Sequence, residues 1–169
     1  MDIEEAIETA IDYETRIRDI YRQASSTCDD DIGRKIFSQL ADEEQGHLDY
    51  LQAKLVEWKQ TGAVTPQRIR SSIPPGKSVE KSVNKVSSGV SGIDCARDLE
   101  LLERALEMEK ETSGFYEKMV SELDAEGQEL FGPFVDIEQG HLKIVQAEID
   151  HLRGLGYWFD FQEFDLEAG

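Results

Sequence analysis

Residues 37–48 read FSQLADEEQGHL, and residues 131–142 read FGPFVDIEQGHL. The two stretches align without a gap at an offset of 94 residues and end in the same five letters, EQGHL. Working outward, AIDYETRIRDIY (10–21) aligns with ALEMEKETSGFY (105–116) at an offset of 95. The one-residue difference falls between the paired segments, where a helix–helix loop absorbs it. The chain therefore reads as two copies of one helical hairpin.

Periodicity supports helices in all four segments. Ile3, Ile7, Ala10, Ile11, Ile17 and Tyr21 recur at helical spacing, predicting a helix over about 2–25. The second is expected from about Asp30 to Gln60, through Ile36, Leu40, Leu48, Leu51 and Leu55, with Gly62 ending it. The third starts near Asp94 and carries Leu99, Leu102, Leu106, Tyr116 and Val120. The fourth runs from about Glu126 to Leu152, closed by Gly154 and Gly156. Pro133 sits early in it, either in the first turn or at a kink. Residues 62–93 differ in texture, with three of the four prolines and seven serines, and read as a long crossover with a short helix near 78–86. The Gly76-Lys77-Ser78 triplet is no phosphate loop, because the required glycine five residues earlier is Ser71. Two hairpins joined by a long crossover predict an all-α four-helix bundle of the crossover type, one domain over 1–169.

The repeat lets each half serve as a control for the other. Among the glutamates of the aligned segments 10–21 and 105–116, only Glu14 and Glu109 coincide; Glu111 falls on Arg16, and Asp19 on Gly114. In the other pair Glu44 falls on Glu138 and His47 on His141, whereas Glu43 falls on Ile137. Glu14 follows Ala10 by four residues and precedes Ile17 by three, so it lies inside the apolar stripe. Glu109 lies the same way between Ala105 and Tyr116. Glu44 and His47 share one helix face with Leu40 and Leu51, and Glu138 and His141 repeat this between Phe134 and Val145. A single Glu-x-x-His is weak evidence for a metal ligand; two at matching places, each with a partner Glu in the core stripe, are strong evidence. Four buried carboxylates without counter-charge are prohibitively costly. Two divalent ions balance them, and glutamate with histidine favours first-row ions such as iron or manganese.

One Glu from each of two helices, with Glu-x-x-His from each of the other two, is the ligand set of the ferritin-like di-iron carboxylate proteins. The chain resembles that superfamily over nearly its whole length, and more closely the di-iron domain of the rubrerythrin family. The resemblance rests on the Glu14–Tyr21 and Glu109–Tyr116 spacings, the paired EQGH segments and the tail GYWFDFQEFDLE (156–167). It implies two iron ions, with manganese or zinc as other acceptable metals. Glu14, Glu44, Glu109 and Glu138 correspond to metal-binding carboxylates, Glu44 and Glu138 as bridges, and His47 and His141 to nitrogen ligands. Tyr21 and Tyr116 correspond to hydrogen-bond partners beside the centre. Two departures stand out. Typical members carry another Glu three residues after the third-helix ligand, where this chain has Thr112. They also append an iron centre held by four cysteines, and this chain has two, Cys28 and Cys95. An external electron donor is therefore expected.

Composition narrows the partners. With 18 Lys+Arg against 36 Asp+Glu the formal charge is −18, which excludes a basic nucleic-acid footprint and an anionic membrane surface. No uncharged apolar run reaches the ~18 residues of a membrane span. Two cysteines without a CxxC pair form neither a disulfide framework nor a thiolate metal centre, and read as inert thiols. The acidic start MDIEEAIETAIDYE is no signal peptide, so the expectation is a cytoplasmic protein. His151, near a helix end, reads as compensating the helix dipole, and the remaining glutamates as a solvated face. The aromatic tail at 155–169 is expected to dock on the bundle or on a second subunit, in a homodimer. The resemblance implies reduction of hydrogen peroxide or O₂ at a diferrous centre, protecting against oxidative stress. The alternatives are ferroxidase chemistry feeding iron storage, and a non-catalytic metal-binding bundle.

Overall fold

The computed structural model describes residues 1–28, 31–69, 71 and 96–153, without the side chains of 31, 32, 96–98 and 151. Four helices make up the described part: α1 (Ile3–Thr27), α2 (Asp31–Thr61), α3 (Ala96–Glu122) and α4 (Ala125–Leu152). α1 packs on α2, α3 on α4, and α1 on α3, which gives an all-α bundle of two hairpins. A long segment separates α2 from α3, as the repeat predicts. Most of the 62–93 segment and the whole of 155–169 lie outside the described residues. So do the Gly76–Ser78 triplet, the helix expected at 78–86, Cys95 and the side chain of His151.

Helix ends follow local chemistry. Asp2 caps α1: its carboxylate accepts the Glu5 backbone N–H at 2.9 Å, and the Glu5 side chain accepts the Asp2 N–H at 3.1 Å. Glu4 and Glu5 add negative charge to the positive end of the helix dipole. Cys28 is buried at the other end and leaves the helix in extended geometry. α2 stops at Gly62, whose φ of +72° lets its N–H reach the Trp58 carbonyl at 2.8 Å. Between α3 and α4 lie only Leu123 and Asp124. Asp124 starts α4 by accepting the Gly127 N–H on its side chain at 3.1 Å.

Pro133 lies inside α4, eight residues beyond its first residue, and not in the first turn. Both Pro133 and Glu129 are exposed. The Glu129 carbonyl that loses its helical partner is therefore on the wet side, where water can satisfy it.

The core forms two apolar clusters, one at each end of the bundle. One is mainly aliphatic and gathers Ile17, Ile36, Leu40, Leu102, Ile144 and Val145 around Tyr21 and Phe37. The other gathers Ile7, Ala10, Leu51, Phe131 and Phe134 around Tyr116. The two halves of the repeat thus contribute to both ends, and the polar residues of the stripe lie among them. No described helix is long and apolar enough to cross a membrane.

Candidate metal centre

Each helix supplies its polar residue from an otherwise apolar face. In α1, Glu14 is the single charged residue among the buried ones, between Ala10 and Ile17. α3 presents Glu109, α2 presents Glu44 with His47 one turn later, and α4 presents Glu138 with His141. All six side chains have no solvent exposure (0%).

Two groups of donor atoms result. Glu14, Glu44, His47 and Glu138 form one; Glu44, Glu109, Glu138 and His141 form the other. Within each, one donor atom per residue lies within 4.8 Å of all the others. Glu44 and Glu138 belong to both groups, each with two oxygens to share. That geometry is what two metal ions with bridging carboxylates require.

Both imidazoles turn Nδ1 toward the carboxylates. His47 Nδ1 lies 2.8 Å from Glu44 Oε2 and 3.2 Å from Glu14 Oε2. His141 Nδ1 lies 2.8 Å from Glu44 Oε1, and 3.7 Å from both Glu109 and Glu138. The rings stack with centroids 5.7 Å apart and planes 15° apart. Above this set the tyrosines cross over. The Tyr21 hydroxyl, on α1, donates to Glu109 on α3, and the Tyr116 hydroxyl, on α3, donates to Glu14 on α1. Each half of the repeat therefore holds the carboxylate of the other.

The electrostatics are those of a site built for positive charge. Burial pushes Glu14 up to about 8, reinforced by the neighbouring charge of Glu44. Burial likewise raises Glu109 to about 7. Glu138 is driven well above the carboxylate range by burial and then by Glu44, Glu14 and Glu109. Burial also works against Glu44, but the charges of His141 and His47 overcome it and hold that carboxyl well below its usual range. Both histidines resist the effect of burial because Glu44 faces them, and their pKa values rise. Burial and the adjacent carboxylates keep both tyrosines protonated, so they stay donors.

Whether these residues suit metal ions can be tested on their unmet valences. Glu44 Oε1, Glu109 Oε2, both oxygens of Glu138 and His141 Nδ1 are buried and lack a hydrogen-bond partner. His141 Nδ1 and Glu44 Oε1 are 2.8 Å apart yet off the line that a hydrogen bond needs. Converging lone pairs without aligned protons are expensive in a dry core, and a divalent cation is what satisfies them. The donor set fits a pair of such ions.

A family model described as Rubrerythrin matches residues 5–149. The chain belongs to the rubrerythrin family. No match was found among curated proteins or among solved structures. The rubrerythrin match spans all four helices, including both Glu-x-x-His segments. The sequence itself holds only two cysteines, too few for a four-cysteine iron centre.

Thr112, at the position of the extra family carboxylate, is buried and turns its hydroxyl back to the Met108 carbonyl at 2.9 Å. It offers the centre no anion. Both Nε2 atoms of the histidine pair are buried without an acceptor among the described residues, so no described carboxylate orients the rings from that side. Not all other glutamates form a solvated face: Glu148 is buried, seven residues beyond His141 on the same side of α4. Its repeat counterpart, Lys54, is buried seven residues beyond His47. Lys54 donates to Glu57 at 2.8 Å and to the Thr65 carbonyl, tying the start of the crossover to α2. The heptad spacing from each histidine was the available signal, although charge alone points outward.

Proposed function

We propose that this rubrerythrin-family protein is a di-iron oxidoreductase that reduces hydrogen peroxide, or O₂, with electrons from an external donor. The observation that supports this most is the sharing of Glu44 and Glu138 between two carboxylate–histidine groups. Glu14 and His47 would complete the shell of one ion, Glu109 and His141 that of the other. When bound, a pair of ferrous ions supplies two electrons at one place, which matches the two-electron cleavage of an O–O bond.

The protein's part is to hold and to compensate. The four carboxylates match the charge of two divalent ions and keep the pair together. Tyr21 and Tyr116 fix one oxygen of Glu109 and of Glu14 respectively, leaving the other oxygen of each for the metal. The surrounding apolar clusters exclude water and strengthen each electrostatic contact. In the metal-free protein burial raises Glu14 and Glu109 to about 8 and about 7, so metal ions would displace protons from them on binding near neutral pH.

Protein purified from iron-replete cells should contain two irons per chain. Anaerobic hydrogen peroxide should then oxidise two ferrous ions per molecule consumed. A protein that ignores peroxide, oxidises Fe(II) rapidly in O₂ and runs as a large cage on a sizing column would be an iron-handling protein instead. A loaded protein that does neither would be a non-catalytic metal-binding bundle.

A further inference from the structure

The two ends of the repeat differ in one respect that the metal centre does not use. Tyr116, which donates to Glu14, lies against Phe115 with ring centroids 5.5 Å apart. Phe115 in turn lies 5.2 Å from the ring of Tyr13. Tyr13 is half-buried, so this short aromatic column runs from a carboxylate of the centre to the protein surface. The equivalent positions behind Tyr21 hold no aromatic ring. Under the same 95-residue offset Phe115 corresponds to Ile20 and Tyr13 to Met108, both partly buried aliphatic or thioether side chains. The same fold thus carries an oxidisable ring at Tyr13 and a thioether at the matching Met108.

We infer that Tyr13 is a reserve electron donor to the centre, acting through Phe115 and Tyr116 when the iron pair is only half reduced. This rests on the di-iron reading above. Reducing hydrogen peroxide to two waters takes two electrons and two protons, and a pair with one ferrous ion supplies only one electron. Tyr13 supplies the second, and its phenolic proton passes to solvent. The balance is H₂O₂ + Fe(II) + Tyr13–OH + H⁺ → 2 H₂O + Fe(III) + Tyr13–O•. An external thiol or ascorbate then returns one electron and one proton to the tyrosyl radical at the surface. Without this route the single electron would release hydroxyl radical inside the core. Tyr13 suits the task better than Tyr50, the other half-buried tyrosine near the centre. Tyr50 reaches the site through Phe134, at 6.0 Å, but carries the buried Lys54 ammonium 5.5 Å from its ring centroid, which opposes loss of an electron. The cation near Tyr13 is Arg16, at 5.8 Å, which is half exposed and paired with Asp12.

The test uses iron-loaded protein reduced with one electron per pair and mixed anaerobically with hydrogen peroxide in the presence of a nitroso spin trap. Freeze-quench electron paramagnetic resonance reports the radical, and peptide mass spectrometry locates the adduct. The expected result is a tyrosyl signal and an adduct on Tyr13. In Tyr13→Phe the adduct should vanish and trapped hydroxyl radical should rise. In Phe115→Ile, which copies the other half of the molecule, the Tyr13 adduct should fall several-fold while iron content is unchanged. An adduct confined to Tyr116 or Tyr50 would overturn the inference. So would Tyr13 labelling that is unaffected by Phe115→Ile, or equal in metal-free protein. If the ferrous ion is oxidised and Tyr13 stays unlabelled, the relay alone fails. If the ferrous ion is not oxidised by peroxide, the di-iron oxidoreductase reading fails and the relay with it.

Discussion

Glu43 and Glu44 are adjacent on α2 and chemically identical, yet only Glu44 is fully buried between the two histidines. Glu43 is half-buried, and its counterpart in the second half is Ile137. Glu44→Ala should therefore abolish most metal binding, measured by metal content after dialysis. The loss should exceed the roughly 10–100-fold caused by removing a mere supporting partner of a ligand. Glu43→Ala should leave two metals per chain. Equal loss from both variants would mean that the buried face has been misassigned. The tyrosines make a gentler prediction. Tyr116→Phe leaves Glu14 without its hydroxyl donor in a dry core, at a cost of about 1 kcal/mol in folding stability. Denaturant midpoints of Tyr116→Phe and Tyr21→Phe should fall alike, because the two bonds are crossed copies of one contact. The pairing of Glu14 with Glu109 and of the two Glu-x-x-His sets was readable from the repeat. Which tyrosine serves which carboxylate was not, because the bond spans from α1 to α3 and depends on how the hairpins pack.

The helices themselves were largely readable, since apolar spacing and capping residues are local. Asp2, Gly62 and Asp124 end or begin helices by bonds to neighbours a few residues away. Gly62 carries the clearest requirement, a φ of +72° that other residues adopt only under strain. No atom of the described residues lies within 4 Å of an added Cβ there, so Gly62→Ala tests backbone strain. It should destabilise the protein by about 1 kcal/mol, read from thermal or urea melts. No change would show that the turn relaxes freely. The first helix extends to Thr27 where the sequence suggested Ser25, while the start expected for the third near Asp94 lies outside the described residues. Polar residues at helix ends continue or stop a helix with little difference in energy, so sequence places such limits only loosely. Pro133 shows the same limit in another form. Whether a proline is tolerated inside α4 depends on which way the freed carbonyl faces, and that is set by the bundle.

At the scale of the whole molecule, the metal-free bundle holds a proton reservoir. Glu14 and Glu109, raised from 4.5 to about 8 and about 7, bind protons in the folded state that the unfolded chain has released. Their contribution to stability is complete below the unfolded value and is lost as pH rises through about 7 to 8. Glu138, His47 and His141 are also raised and act in the same direction. Glu44 is lowered and acts oppositely, its contribution being lost as the solution becomes acid enough to protonate it. Metal-free protein should thus melt at a higher temperature near pH 5.5 than near pH 8.5. Metal should bind more tightly as pH rises, because binding displaces those protons. At a free metal level of 100 times the dissociation constant, loading should add about 2.7 kcal/mol, measured as a shift of the melt. Identical melts with and without metal would argue against a core site. The sequence by itself determined the hairpin repeat, the four helices and the six polar residues of the apolar stripes. These follow from spacing along one helix, and the second copy removes coincidental charges such as Glu43 and Glu111. Only the tertiary structure decided that Glu44 and Glu138 stand between both histidines, that the tyrosines cross, and that Lys54 and Glu148 are buried. Each of these depends on the distance between side chains on different helices, which packing alone sets.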